Sequence, residues 1–217
     1  HRPLGRSTAV STKVVRAAAL SATERVTSMN SDGSVLVICS GNVCRSPYIE
    51  ARLRHALKDT QIHVSSAGTH ALVGSDMDPG TRGLLVRAGI PGDAFAARQL
   101  TSELIASADL VIAAAREHRS AAARLNPRSL GKILTLRDLA DLLMDADFRQ
   151  VEVVSNEARV RKVLALAIAR RSVVGARQAD VDLIDPIGGT ATDFEQMAAA
   201  VDSALSPIIA ALGRSTA

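Results

Sequence analysis

Apolar positions fall along this chain in two alternating rhythms. Residues 35–38 and Leu110–Ala113 are apolar at every position, the pattern of strands buried on both faces of a parallel sheet, and residues 62–66 and 132–134 form two further short extended runs. Between these runs apolar residues recur three and four apart. Ile49, Leu53, Ala56 and Leu57 predict one helix, residues 78–88, closed by Gly89, a second, and the stretch after Thr101 a short third. Arg116–Leu125 and Leu136–Leu143 predict two more. Strands that alternate with helices in this way fold as a parallel sheet between helical layers. The fold class is therefore α/β, a doubly wound four-stranded parallel sheet with helices on both faces.

The alternation breaks after residue 143. Across residues 144 to about 180, Val160, Val163, Leu164, Ala167 and Ile168 form an apolar stripe flanked by Arg159, Arg161, Lys162, Arg170 and Arg171, which predicts an amphipathic helix packed on the surface. A last helix follows, with a capping box from Thr192 to Glu195 and a core stripe of Phe194, Met197, Ala198, Val201, Ala204, Leu205 and Ile208. Pro207 is expected to kink or divide it.

Composition narrows the class. With 217 residues and 47% hydrophobic content the chain can bury one full core, and no apolar run approaches the roughly 18 to 20 residues of a membrane span. Residues 1–33, rich in Ser, Thr, Ala and Arg, are expected to form a flexible extension. Within residues 1–28, five basic residues face one acidic residue and carry the whole formal charge of +4; the remaining 21 basic and 21 acidic residues balance. That balance, with 2% aromatics, argues against a nucleic-acid partner. Two cysteines five residues apart in one loop make neither a disulfide framework nor a zinc site, and point to a reducing, cytoplasmic compartment.

The candidate chemistry lies in residues 35–47. An apolar strand delivers Cys39 into a loop ending in Arg45-Ser46-Pro47, where Ser46 is expected to cap the next helix and Pro47 to occupy its first position. A helix N-terminus beside a tight loop presents unpaired backbone N–H groups to an anion. Ser40, Gly41, Asn42, Val43, Cys44, Arg45 and Ser46 would line such a phosphate site. Gly41 permits positive φ, Asn42 tolerates it, and Arg45 offers a planar fork to an oxyanion. The donors that hold a phosphate also favour a thiolate, which makes Cys39 the candidate nucleophile. Cys44 lies close enough in the loop to trap Cys39 as a disulfide under oxidation. No lysine of a nucleotide-binding Gly-x-x-x-x-Gly-Lys loop is present.

The whole loop, Cys39 through Pro47, resembles the signature loop of the low-molecular-weight protein tyrosine phosphatases. Ser65-Ser66-Ala67-Gly68-Thr69, Ala97-Arg98-Gln99-Leu100-Thr101 and Asp185-Pro186 resemble further stretches of that family. The resemblance implies a flavodoxin-like phosphatase domain over residues 34–217, with residues 144–180 as a helical insertion. It implies a phosphomonoester hydrolase acting through a phosphocysteine on Cys39, with Arg45 holding the phosphoryl group and Asp185 as general acid and base. Asn42, Ser46 and Ser66 would support the loop. Neither metal nor organic cofactor is implied; the substrate would be a phosphotyrosine protein or a small phosphate ester. Ile187 stands where the family usually carries an aromatic residue. Two rival readings are an arsenate reductase using an external thiol and a catalytically silent phosphoprotein-binding module. His70, in the turn after the second strand, is set aside from catalysis.

Overall fold

The computed structural model describes residues 32–90, 94–148, 155–174 and 182–213. Most of the expected N-terminal extension and both flanks of the helix expected in residues 144–180 lie outside them.

Strands β1 (Ser34–Cys39), β2 (His63–Gly68), β3 (Leu110–Ala113) and β4 (Ile133–Thr135) form one sheet in the order β2-β1-β3-β4, with all pairings parallel. Strand β2 starts and ends later than expected, because its register pairs Ser34 with His63 and Cys39 with Gly68. The apolar run of β1 divides between two cores. Val35 and Val37 join a large cluster on one face, while Leu36 and Ile38 join a smaller one on the other.

Helices α1 (Arg45–Ala56), α2 (Pro79–Arg87), α5 (Leu136–Leu143), α6 (Asn156–Val174) and α7 (Ala191–Leu212) supply the larger core. Helices α3 (Ser102–Ser107) and α4 (Arg116–Leu125) cover the opposite face through Ile105 and Ala122. From β1 the chain crosses to β2 on one side and then returns to β3 on the other. That reversal opens a crevice at the carboxyl ends of β1 and β3, where doubly wound sheets bind their ligands.

Three local expectations are corrected. Helix α1 begins at Arg45, with Cys44 rather than Ser46 at its N-cap, because the Ser46 hydroxyl is engaged by Cys39 and Asn42. The box opening α7 runs from Thr190 to Asp193, whose carboxylate accepts from the Thr190 N–H at 2.7 Å and its hydroxyl at 2.8 Å. Helix α7 continues through Pro207, held on both sides by buried Val201, Ala204, Leu205 and Ile208.

Helix α6 is not a loose appendage. Val160, Val163 and Ala167 are buried in the main core, Arg159 is buried as well, and Arg161 bridges Asp109 and Glu157. At Gly33 the chain passes so close to this helix that an added Cβ would meet the Asn156 carbonyl oxygen and a Val160 methyl, each at 2.7 Å. Neither neighbour can retreat freely. Gly33→Ala is therefore expected to destabilise the protein by about 1–3 kcal/mol, read as a lowered urea midpoint. An unchanged midpoint would show that α6 does not press on the start of β1.

Candidate active site

Cys39 is the last residue of β1 and is buried, so the strand presents its thiol at the mouth of the crevice. The following loop bends through Asn42, which has φ 57° and is completely buried. Of the two residues suited to positive φ, Gly41 and Asn42, it is the asparagine that carries the left-handed turn. An asparagine tolerates that conformation best when its side chain is bonded locally. Here the amide is fully used. Asn42 Nδ2 donates to Ser46 Oγ at 3.0 Å and to Ser66 Oγ at 2.8 Å, while its Oδ1 accepts from the backbone N–H of Arg98 at 2.9 Å.

These bonds fix the direction of the others. Ser66 accepts from Asn42, so its own proton goes to Glu50 Oε2 at 2.6 Å. Ser46 likewise accepts from Asn42, and its hydroxyl lies 2.9 Å from Cys39 Sγ, a distance at which it can donate to a thiolate. The loop backbone is tied to the segment after β2: Thr69, His70 and Leu72 N–H groups donate to the carbonyls of Cys39, Ser40 and Gly41 at 2.8, 3.0 and 3.0 Å. A Cβ at Gly68 would lie 2.4 Å from the Ser40 carbonyl oxygen, so only glycine allows this approach.

Arg45 opens helix α1 yet is buried, with its guanidinium turned back across the loop. Its Nη2 donates to Asp185 Oδ2 at 2.6 Å and to Ser40 Oγ at 3.4 Å, and Nη1 donates to the Leu183 carbonyl at 3.4 Å. Nε is buried and has no protein partner. Asp185 is brought there by a short anchored segment. The Leu183 N–H extends the β3 side by donating to the Ala114 carbonyl at 3.0 Å, and Asp182 accepts from the first backbone N–H of α4, that of Arg116, at 2.7 Å. Asp182 thus secures the segment while Asp185 reaches the loop.

Cys39, Ser40, Gly41, Val43, Cys44 and Arg45 share with Asp185 a cavity of about 210 Å³, walled at its mouth by His70, Leu72 and Ile187. Asn42, Ser46 and Ser66 stand behind that lining. Burial, followed by the charges of Asp78 and Asp185, pushes the Cys44 thiol up to about 12, so it remains protonated at neutral pH.

One residue of the site escaped the sequence reading. His118, on the first turn of α4, is buried, and its Nε2 lies 2.8 Å from Ser40 Oγ and 3.2 Å from Glu117 Oε1. Its signal was positional: a histidine at the first helical turn beyond β3 sits at a carboxyl end of the sheet, as Cys39 does. Burial, reinforced by Arg45, lowers its pKa from 6.5 to about 4. Glu50, which completes the Asn42 network, carried no local motif of its own, and Arg98 lay in the Ala97-to-Thr101 stretch without an assigned role.

Comparison with known proteins identifies the family. The family model of the low molecular weight phosphotyrosine protein phosphatases matches residues 34–153. A probable low molecular weight protein-tyrosine-phosphatase, EpsP of Ralstonia solanacearum, is 31% identical over 125 residues, spanning 58% of this chain and 85% of that protein. The low molecular weight protein-tyrosine-phosphatase Etp of Escherichia coli K12 is 36% identical over 101 residues, 46% of this chain and 67% of Etp. In fold, the chain is similar to the Erwinia amylovora tyrosine phosphatase AmsI, with TM-score 0.61 and 23% identity over 84% of this chain and 95% of that one. The fold is thus that of the flavodoxin-like phosphatases. The chain belongs to the low molecular weight phosphotyrosine protein phosphatase family and is a phosphomonoester hydrolase by class. The family match ends before α6, Asp185 and α7.

The histidine gives this site a measurable acid dependence. Because the folded pKa lies below the unfolded one, the unfolded chain binds the proton first as pH falls. The His118 contribution is complete above about pH 6.5 and is lost progressively toward pH 4, by on the order of 3 kcal/mol. Urea unfolding at stepped pH should show this loss in the unaltered protein and a flatter profile in His118→Gln; parallel profiles would refute it.

Proposed function

We propose that this chain is a protein-tyrosine phosphatase working through a phosphocysteine. The observation that carries the reading is the meeting of Arg45 and Asp185 at 2.6 Å above the loop that holds Cys39. Cys39 attacks phosphorus in line, and the amides of residues 40–46 with Arg45 hold the equatorial oxygens. The buried, unpartnered Arg45 Nε supports that role, since an oxyanion offers this donor an acceptor. A bound phosphoryl group competes with Asp185 for the guanidinium. The released carboxylate takes up a proton from solvent, passes it to the leaving oxygen and afterwards accepts a proton from the attacking water. The hydroxyl of Ser46 stabilises the sulfur as the leaving group of the second step.

The mouth supports an apolar phosphoester. Leu72 and Ile187 are each 51% exposed and flank the cavity with aliphatic surface, which packs on a phenyl ring without stacking against it. No described helix is long and apolar enough to cross a membrane, and no described cluster of His, Cys, Asp or Glu has the makings of a metal site. We place residues 34–217 in one catalytic domain, because α6 and α7 share the core of the sheet.

Two measurements test this reading. Cys39→Ser should abolish hydrolysis of an aryl phosphate. Asp185→Asn should slow a substrate with a poor leaving group by roughly 10² to 10⁴, and slow an activated aryl phosphate less. Should Asp182→Asn show that pattern instead, the general acid is misassigned. The cysteine pair adds a second arm. Under peroxide, Cys39 and Cys44 should each give up one hydrogen to form a disulfide as peroxide becomes water, with activity restored by dithiothreitol. Mass spectrometry that found sulfinic acid at Cys39 beside a free Cys44 would rule the disulfide out.

A further inference from the structure

The side chains of half-buried Ser40 and buried His118 have no part in the mechanism above, yet the Ser40 hydroxyl touches the guanidinium that does. Hydrogen-bond accounting fixes its direction. His118 Nδ1 is buried without a partner, whereas Nε2 faces both Ser40 Oγ at 2.8 Å and the Glu117 carboxylate at 3.2 Å. A proton on Nδ1 would leave a buried donor unmade and turn the Nε2 lone pair toward a carboxylate. A proton on Nε2 meets two acceptors and leaves only a lone pair unsatisfied at Nδ1, the cheaper defect. The ring proton therefore belongs on Nε2, and His118 donates to Ser40.

Arg45 Nη2 also points at Ser40 Oγ, at 3.4 Å, and an arginine can only donate. Ser40 Oγ thus receives two N–H groups, which occupy both of its lone pairs. Its own proton finds no acceptor among the described residues, and Ser40 lines the cavity with Cys39, Arg45 and Asp185. We propose that the Ser40 hydroxyl is a side-chain donor to the bound phosphoryl oxygen, aimed and polarised by His118 from behind the loop. His118 is then a positioning residue, acting through Ser40 and never touching substrate. This inference rests on the phosphatase reading and adds to it a donor that the loop amides do not supply.

Inhibition by inorganic phosphate, measured against hydrolysis of an aryl phosphate, tests the idea in Ser40→Ala, His118→Leu, His118→Gln and the double variant Ser40→Ala/His118→Leu. A lost hydrogen bond to a charged oxygen predicts that Ser40→Ala weakens phosphate inhibition roughly 10- to 100-fold. His118→Leu should weaken it in the same direction, and His118→Gln, which keeps an amide donor, should recover part of the loss. The double variant should match Ser40→Ala alone, since His118 has nothing left to act through. Unchanged phosphate inhibition in Ser40→Ala, or effects that multiply in the double variant, would overturn the proposal while leaving the phosphatase reading intact. If His118→Leu does not fold, Ser40→Ala and His118→Gln still decide the matter. Absence of both hydrolysis and phosphate inhibition in the unaltered enzyme would overturn the phosphatase reading, and this inference with it.

Discussion

The site depends on one buried amide. Asn42 holds a left-handed backbone that few residues accept, and its side chain ties the loop to α1, to the end of β2 and to the segment at Arg98. The two bonds that the amide donates are continued outward, from Ser46 to the Cys39 sulfur and from Ser66 to Glu50. The arrangement costs backbone strain, on the order of 1 kcal/mol or more, that the bonds must offset. In return the loop is set before any ligand arrives, and little ordering remains to be done on binding.

A buried arginine has to be balanced. Asp185 supplies the opposite charge from a segment that is itself anchored at Asp182 and Leu183. On its other side stands His118, kept neutral by burial and by the guanidinium itself. A charged imidazole there would repel the guanidinium; a neutral one contributes only a directed N–H.

Much of this was legible in the sequence because the strongest signals are local. The apolar run of β1, the Cys39-to-Pro47 loop and the Asp185-Pro186 pair each declare themselves within a few residues. What stayed hidden was long-range. That Gly41 would leave the positive φ to Asn42 depends on Ser66 and Arg98, which lie 24 and 56 residues away. The cap of α1 has a more local cause: the curl of the loop turns Ser46 toward Cys39 and Asn42, so its hydroxyl is engaged there rather than at the helix end. His118 was hidden because a single histidine in a charged helix has no pattern, and only the topology of β1 and β3 brings it to Ser40. Arg159 read as a surface charge, since periodicity cannot show that its helix presses on Gly33.

Strand β1 also sets the polarity of the molecule. Ser34, at its amino end, is bonded to Asp109, and the Cys39 sulfur stands at its carboxyl end, five residue steps or roughly 17 Å away. A tether joined at Asp32 meets the domain at the rim of the sheet opposite its mouth. A bulky phosphoprotein then approaches from the free side, and the attachment point and the docking face do not obstruct each other.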